Sequence, residues 1–506
     1  MKNVLQYLEE GALKVNPNGI AVQDDERKIT FSELSDQARA LGTLIARQYG
    51  SPKRPIAVFL PKCVDVVIAD LAILYSGNFY TNIDDQTPIE RLEKLLLNVE
   101  PVLIITNQKT QLLLDTLSLS GAISIPIYEL TSNAVECDLS LLTDIRKKMI
   151  DTDPVCLINT SGSTGTPKSV ALSHRGTLDF MNWCFKTFHF DHCDRIGSLS
   201  PFHFDIYTLE LIAGLNKGAS IFLIPDSIAA FPASIVEYLN IHKISFIFWV
   251  PTIMVNIANL GLIESAPPSS LKRVFFAGEV FPTKQLNMWR RALPETQFVN
   301  LYGPIEIHVD CTYFIVNRPF ADHEQIPIGI PCDNTEILIL GDDNAAVGPG
   351  QTGELCVRGS SLGLGYYNNQ ELTSRVFCQN PLNTRYQDLI YRTGDLAYRN
   401  ELGEIMFAGR KDFQIKHSGY RIELGEIETA VTALGEIRNA CVVYDLAKKQ
   451  IVLFFESSVN LTPGDLRLKL QPTLPKYMIP TRFLQVDELP RNPNGKIDRK
   501  MLQEQL

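Results

Sequence analysis

Strand-like apolar runs alternate with helix-patterned segments along most of this chain, and that alternation restricts the fold more than any other feature of the sequence. The run PIAVFL (55–60) precedes the helical pattern VDVVIADLAILYSG (64–77). PVLIITN (101–107), ASIFLIP (219–225) followed by SIVEYLNIH (234–242), and RVFFAG (273–278) continue it. Short apolar strands separated by helices bury themselves in largely parallel sheets with helices on the faces. The expected class is α/β, with a large N-terminal body of mixed and parallel sheets flanked by helices. From GRKDFQIKHSGYRIELGEIE (409–428) the texture shifts to compact α+β. A helix starts near Glu426, strands fall at ACVVYD (440–445) and QIVLFF (450–455), and PGDLRLKL (463–470) reads as a helix. At 506 residues the chain is too long for one core. A boundary near Asp412 divides it into a body, 1–411, and a small α+β C-terminal domain, 412–506.

Composition closes off several classes. Hydrophobic residues at 45% and charged residues at 21% describe a globular chain. A formal charge of −10 disfavours nucleic acid and anionic membrane as partners. The segment 412–506 carries 13 Lys+Arg against 12 Asp+Glu, so the negative charge lies on the body. Ten scattered cysteines without a CxxC pair exclude zinc-site spacing and fit a reducing cytoplasm. MKNVLQYLEEGALKV lacks the uninterrupted apolar core of a secretory signal. The apolar stretch 244–263 is interrupted by Pro251, Asn256 and Asn259, and reads as a strand followed by a helix with proline near its start rather than as a membrane span.

The segment Thr160-Ser161-Gly162-Ser163-Thr164-Gly165-Thr166-Pro167-Lys168 follows the strand-like VCLIN. Glycines and small hydroxyl residues let backbone N–H and side-chain O–H groups wrap phosphate oxygens, with Lys168 as a point charge. The spacing does not fit GxxxxGK[ST], which excludes a P-loop NTPase. Taken alone, the same residues also describe a Ser/Gly-rich surface turn.

The loop is one of an ordered series: SGSTGTPKS, FHFD (202–205), LYGPIE (301–306), GELCVRG (353–359), YRTGDL (391–396), GRKDFQIKHSGYRIELGEIE, LPKYMIP (474–480) and NGKIDRK (494–500). In these motifs the chain resembles the adenylate-forming superfamily of acyl-CoA synthetases, luciferases and amino-acid adenylation domains of nonribosomal peptide synthetases. The likeness runs from ITFSEL (29–34) to the C-terminal lysine motif.

The resemblance implies an ATP- and Mg²⁺-dependent ligase with a mobile C-terminal lid domain hinged at Asp412. The loop 160–168 would hold the β- and γ-phosphates while a substrate carboxylate attacks the α-phosphate. Asn300, Leu301, Tyr302, Gly303, Pro304 and Ile305 would bind ATP, Asn300 contacting the adenine and Tyr302 stacking on it; Asp395 would accept from the ribose hydroxyls, Phe407 would line the adenine site, and Arg410 would reach ribose or phosphate. Glu306 would bind Mg²⁺. Ile305 replaces the family's usual threonine, which removes one hydroxyl contact to phosphate. Lys496, with Lys168, would be catalytic, its charge bridging the substrate carboxylate and the α-phosphate. After lid rotation, residues 416–423 would line a thiol channel in which Gly419 leaves room for a phosphopantetheine arm.

Asp205 sets the substrate class by the same resemblance: amino-acid-activating members carry an aspartate here that pairs with the substrate's α-ammonium. Its alternative role is a helix N-cap. Ile206, Leu209, Phe248, Phe275, Ala277, Leu301, Val309 and Asp310 would line the rest of the pocket. The two phenylalanines shorten it, which favours a small or compact side chain. The line-up is similar to that of stand-alone proline-activating ligases, and FAGEVFP (276–282) also resembles D-alanine:carrier-protein ligases. Proline is the favoured substrate, with D-alanine:carrier-protein ligase and acyl- or aryl-CoA synthetase as alternatives. His203 reads as a gate or packing residue. The chain ends six residues after Lys500 with no carrier segment, so the expected acceptor is a separate carrier protein.

Overall fold

The computed structural model describes residues 1–49, 52–117, 123–127, 136–162, 167–412, 414–491 and 497–506. These form two compact units. The first gathers Met1–Asp85, Glu100–Ile158 and Val170–Lys411; the second gathers Gln86–Val99, Asn159–Ser169 and Asp412–Leu506.

The main sheet of the first unit has nine strands, in the spatial order Ile330–Pro331, Thr312–Ile315, Gln297–Tyr302, Arg273–Phe276, Phe246–Trp249, Arg195–Ser198, Ser220–Leu223, Ile20–Gln23 and Lys28–Thr30. Strands Gln297–Tyr302, Arg273–Phe276, Phe246–Trp249 and Arg195–Ser198 are mutually parallel neighbours, with Phe248 opposite Phe275 and Phe275 opposite Val299. Phe246-Ile-Phe-Trp249 is buried throughout, as a strand covered on both faces must be. The chain then turns at Val250 into the helix Pro251–Asn259, with proline in its first turn where no N–H is missed. A seven-stranded sheet, Gly365–Tyr366, Lys168–Ser173, Pro154–Thr160, Phe79–Asn82, Pro55–Phe59, Leu103–Thr106 and Ile123–Pro126, stacks the early βα units. Helix Val64–Tyr75 is buried along nearly its whole length, so its apolar pattern has no solvent face. Helix Phe31–Gln48 has one; it starts at a capping box between Thr30 and Glu33. A third, antiparallel sheet contains Thr335–Leu340, Gly353–Gly359, Leu389–Arg399, Phe377–Gln379 and Ile405–Arg410.

In the second unit, strands Ile437–Asp445 and Gln450–Ser457 pair antiparallel, and Arg482–Gln485 adds in parallel. Helices Leu424–Thr432 and Pro463–Leu470 supply Ile427, Val431, Leu466 and Leu470 to its core. The rings of Tyr420 and Tyr477 stack at 3.6 Å. A hairpin joins Gln414–His417 to Tyr420–Glu423, and both turn residues, Ser418 (φ 52°) and Gly419 (φ 84°), are left-handed, as a two-residue type I′ turn requires. All ten cysteines are free thiols. Among the described residues no helix is long and apolar enough to cross a membrane.

Candidate functional site

Open parallel sheets place their functional residues beyond the carboxyl ends of the strands. Four neighbouring strands of the nine-stranded sheet do so here. Arg195–Ser198 runs out into residues 199–205, Arg273–Phe276 leads to Ala277, and Gln297–Tyr302 leads to Gly303; Phe248 lies near the end of Phe246–Trp249. Asp205 immediately precedes helix Ile206–Lys217, and its side chain makes no capping hydrogen bond there. Ile206, Leu209, Phe248, Phe275, Ala277, Leu301, Val309 and Asp310 are all buried. Phe275 packs edge-on against Phe188 at 4.6 Å, Phe246 at 5.0 Å and Phe248 at 6.0 Å, so these rings form one continuous aromatic layer. His203 packs on Phe204 at 4.9 Å between ring centres, and burial lowers its pKa.

The residues assigned to the nucleoside converge at the end of Gln297–Tyr302 and on the antiparallel sheet. The Tyr302 hydroxyl donates to Asp395 Oδ2 at 2.5 Å, and Arg410 Nη1 donates to Asp395 Oδ1 at 2.6 Å. The ring of Phe407 lies 6.3 Å from that of Tyr302. Arg410 and Asp395 face each other across the paired strands Leu389–Arg399 and Ile405–Arg410. Asn300 uses its amide nitrogen on the Pro327 carbonyl at 2.8 Å. Burial and the neighbouring Asp395 charge raise the Tyr302 phenol well above its usual pKa, which keeps it a neutral donor.

Gly303 brings the end of strand Gln297–Tyr302 against residues 309–310. A Cβ at this position would lie 2.4 Å from Asp310 Cα and 2.7 Å from the Val309 carbonyl oxygen, so only glycine lets the turn pass this close to residues 309–310. Gly303→Ala is therefore expected to cost about 1–3 kcal/mol of stability, the cost of forcing extra volume into packed structure. It should also raise the KM values for both substrates. Thermal unfolding combined with kinetics checks this; an unchanged midpoint contradicts the close approach.

Ile305–Ile307 forms a single 3-10 turn that carries Glu306. Glu306 is fully buried, its Oε1 accepts from the Tyr366 hydroxyl at 2.6 Å, and its carbonyl accepts from Gly363 N at 2.7 Å. A buried carboxylate beside hydroxyl groups is an oxygen donor of the hard type that Mg²⁺ takes, so the residue fits that ion.

Two contributors escaped sequence reasoning: Tyr366 and His308. His308 has φ 58° and ψ 138°, a conformation costly for any residue but glycine. Its ring holds it there. Nδ1 lies 2.7 Å from the Ser361 carbonyl, and Nε2 accepts from Ser173 N at 3.1 Å. Burial lowers its pKa, so the neutral ring donates from Nδ1 and accepts at Nε2. Gly176 makes room for it, since a Cβ there would meet the imidazole at 2.2 Å.

In the second unit the described ends of the 160–168 loop meet carboxylates. Thr160 is the buried last residue of its strand. Ser161 Oγ donates to the Arg421 carbonyl at 2.6 Å and accepts from Glu423 N at 3.2 Å. Gly162 N donates to Glu426 Oε2 at 3.1 Å, and Lys168 Nζ pairs with Glu423 Oε1 at 3.3 Å. The carboxylate oxygens on Gly162 and Lys168 stand where the resemblance expects phosphate oxygens. Glu426 also pairs with Arg91. Asp412 Oδ1 accepts from Gln414 N at 3.2 Å. Ser163, Thr164, Gly165, Thr166 and the expected catalytic Lys496 lie outside the described residues.

Residues 9–367 match the AMP-binding enzyme family, and the chain belongs to it. It is 31% identical over 500 residues to an L-proline--[L-prolyl-carrier protein] ligase of Pseudomonas fluorescens, covering 97% of each chain. It is 30% identical to tyrocidine synthase 1 of Brevibacillus parabrevis over 99% of this chain, but it spans only 45% of that protein. Among solved structures it superposes on the Vibrio cholerae adenylation domain AlmE, in complex with glycyl-adenosine-5'-phosphate, with a TM-score of 0.83 at 22% identity, covering 99% of this chain and 96% of that one.

Proposed function

We propose that this chain activates a compact amino acid, proline first, as its aminoacyl-AMP with release of pyrophosphate, and then passes the aminoacyl group to the phosphopantetheine thiol of a separate carrier protein. The observation that carries this reading is Asp205. It is half-buried at the start of a helix it does not cap, on the run that leaves the carboxyl end of strand Arg195–Ser198, and a carboxylate there can pair with the substrate's α-ammonium. The aromatic layer of Phe248 and Phe275 limits the length of the side chain beyond it. The likeness to a prolyl-carrier-protein ligase supports both the substrate and the acceptor.

Tyr302, Phe407 and Asp395 orient the nucleoside, with the Asp395 oxygens exchanging their present donors for ribose hydroxyls. Glu306 would hold Mg²⁺, which when bound would supply charge neutralisation on the phosphates. Lys496 bridges the two anions during attack, and Lys168 holds the leaving pyrophosphate. The aminoacyl-AMP mixed anhydride is already activated, so the incoming thiolate needs no enzyme nucleophile. Residues 412–506 act as a lid that turns about Asp412 between the two steps.

The acceptor is tested by incubating the enzyme with ATP, radiolabelled proline and either a phosphopantetheinylated carrier protein or CoA. Label is expected on the carrier. Label on CoA alone would favour an acyl-CoA synthetase.

A further inference from the structure

The seven residues 199–205, which end in Asp205, have no secondary structure of their own to fix them beyond the ends of strand and helix. Three side-chain contacts brace them, two on the run itself and one just before it. Lys62 Nζ donates to the Leu199 carbonyl at 3.1 Å, and Ser198 Oγ donates to Glu210 Oε2 at 2.5 Å just before the run. The third, Asn82, ends strand Phe79–Asn82 and donates its amide nitrogen to the Phe202 carbonyl at 3.3 Å. The same nitrogen donates to Asp70 Oδ2 at 3.0 Å.

Asp70 is an anomaly. It lies in the mostly apolar helix Val64–Tyr75 and is fully buried, with no basic partner among the described residues. The groups facing it are the Asn82 amide and the Tyr207 hydroxyl, with the Tyr80 phenol and the Cys156 thiol in electrostatic reach. Cys156 is also within electrostatic reach of Asp205. Tyr207 itself packs on Phe202, ring centres 4.2 Å apart. Burial pushes the Asp70 carboxyl up to about 8, so at neutral pH it is mostly protonated. A neutral acid here accepts from Asn82 through Oδ2, while its Oδ1 makes no hydrogen bond among the described residues.

We propose that Asp70 is a positioning residue: through the Asn82 amide it fixes the Phe202 carbonyl, and with it the turn that presents Asp205 to the substrate's ammonium group. This rests on the reading of Asp205 given above.

The test is a double-mutant cycle read as KM for proline and for ATP. Asp70→Leu removes the acceptor for the Asn82 amide and is expected to raise the amino-acid KM about 5- to 10-fold, the effect of about one lost hydrogen bond, with the KM for ATP unchanged. Asp70→Asn keeps an acceptor and is expected to restore the wild-type KM. In an Asp205→Asn background the effect of Asp70→Leu should vanish, because nothing is left to position. Should Asp70→Leu fail to fold, Asn82→Ala breaks the bridge from the strand end and carries the same expectation. An equal rise in both KM values, or an effect of the same size with and without Asp205, overturns the inference and leaves Asp70 a purely structural residue. A silent Asp205→Asn would instead remove the ammonium reading and this inference with it.

Discussion

Asp205→Asn is expected to weaken amino-acid binding by about 2–5 kcal/mol, the cost of truncating one partner of a desolvated charge pair. That corresponds to a rise in KM from about 30-fold to several thousandfold. The side chain stays the same size, so packing around Ile206 and Leu209 is preserved and only the charge is lost. The KM for ATP should hardly change, because Tyr302, Phe407 and the Asp395–Arg410 pair form a separate cluster. Steady-state kinetics with each substrate varied in turn checks both halves. Unchanged amino-acid activation in the variant rules out an ammonium contact at this residue.

Lys496→Ala is expected to lower the rate of aminoacyl-AMP formation by about 10²–10³-fold, the size of effect seen when one donor to a developing charge is removed. ATP binding should be largely intact. A carboxylate and a phosphate repel as they approach, and a single ammonium between them removes that repulsion only on the way to the transition state. Thiol transfer from preformed aminoacyl-AMP needs no such bridge and should survive the substitution. Pyrophosphate exchange alongside ATP-binding measurements separates the two effects, and wild-type exchange in the variant would contradict the assignment.

The parts of this protein that announce themselves in its sequence are those set by local pattern. Phe246-Ile-Phe-Trp249 followed by Val-Pro, and the apolar run 64–75, are strand and helix by composition and by punctuation alone. Asp205, Tyr302, Glu306 and Asp395 stand inside ordered motifs, so their neighbourhoods could be expected before any coordinates. What could not be read is what depends on contacts across long stretches of chain. Tyr366 reaches Glu306 over 60 positions, Ser173 reaches His308 over 135, and Asn82 reaches Phe202 over 120. The left-handed backbone of His308 has no sequence signal either, since a buried histidine two residues past a glutamate looks like any other. Asp70 was hidden differently: one acid in an apolar helix pattern reads as a solvent-facing position, and only the packing on all sides reveals it as buried.

The most direct measurement is ATP–pyrophosphate exchange across the proteinogenic amino acids, with D-alanine and simple carboxylic acids included. Exchange that requires an α-amino group and is strongest with proline, followed by other compact side chains, is the expected result. Exchange supported equally by acids without an amino group, or best by a large aromatic or cationic amino acid, would contradict both the role of Asp205 and the limit set by Phe248 and Phe275.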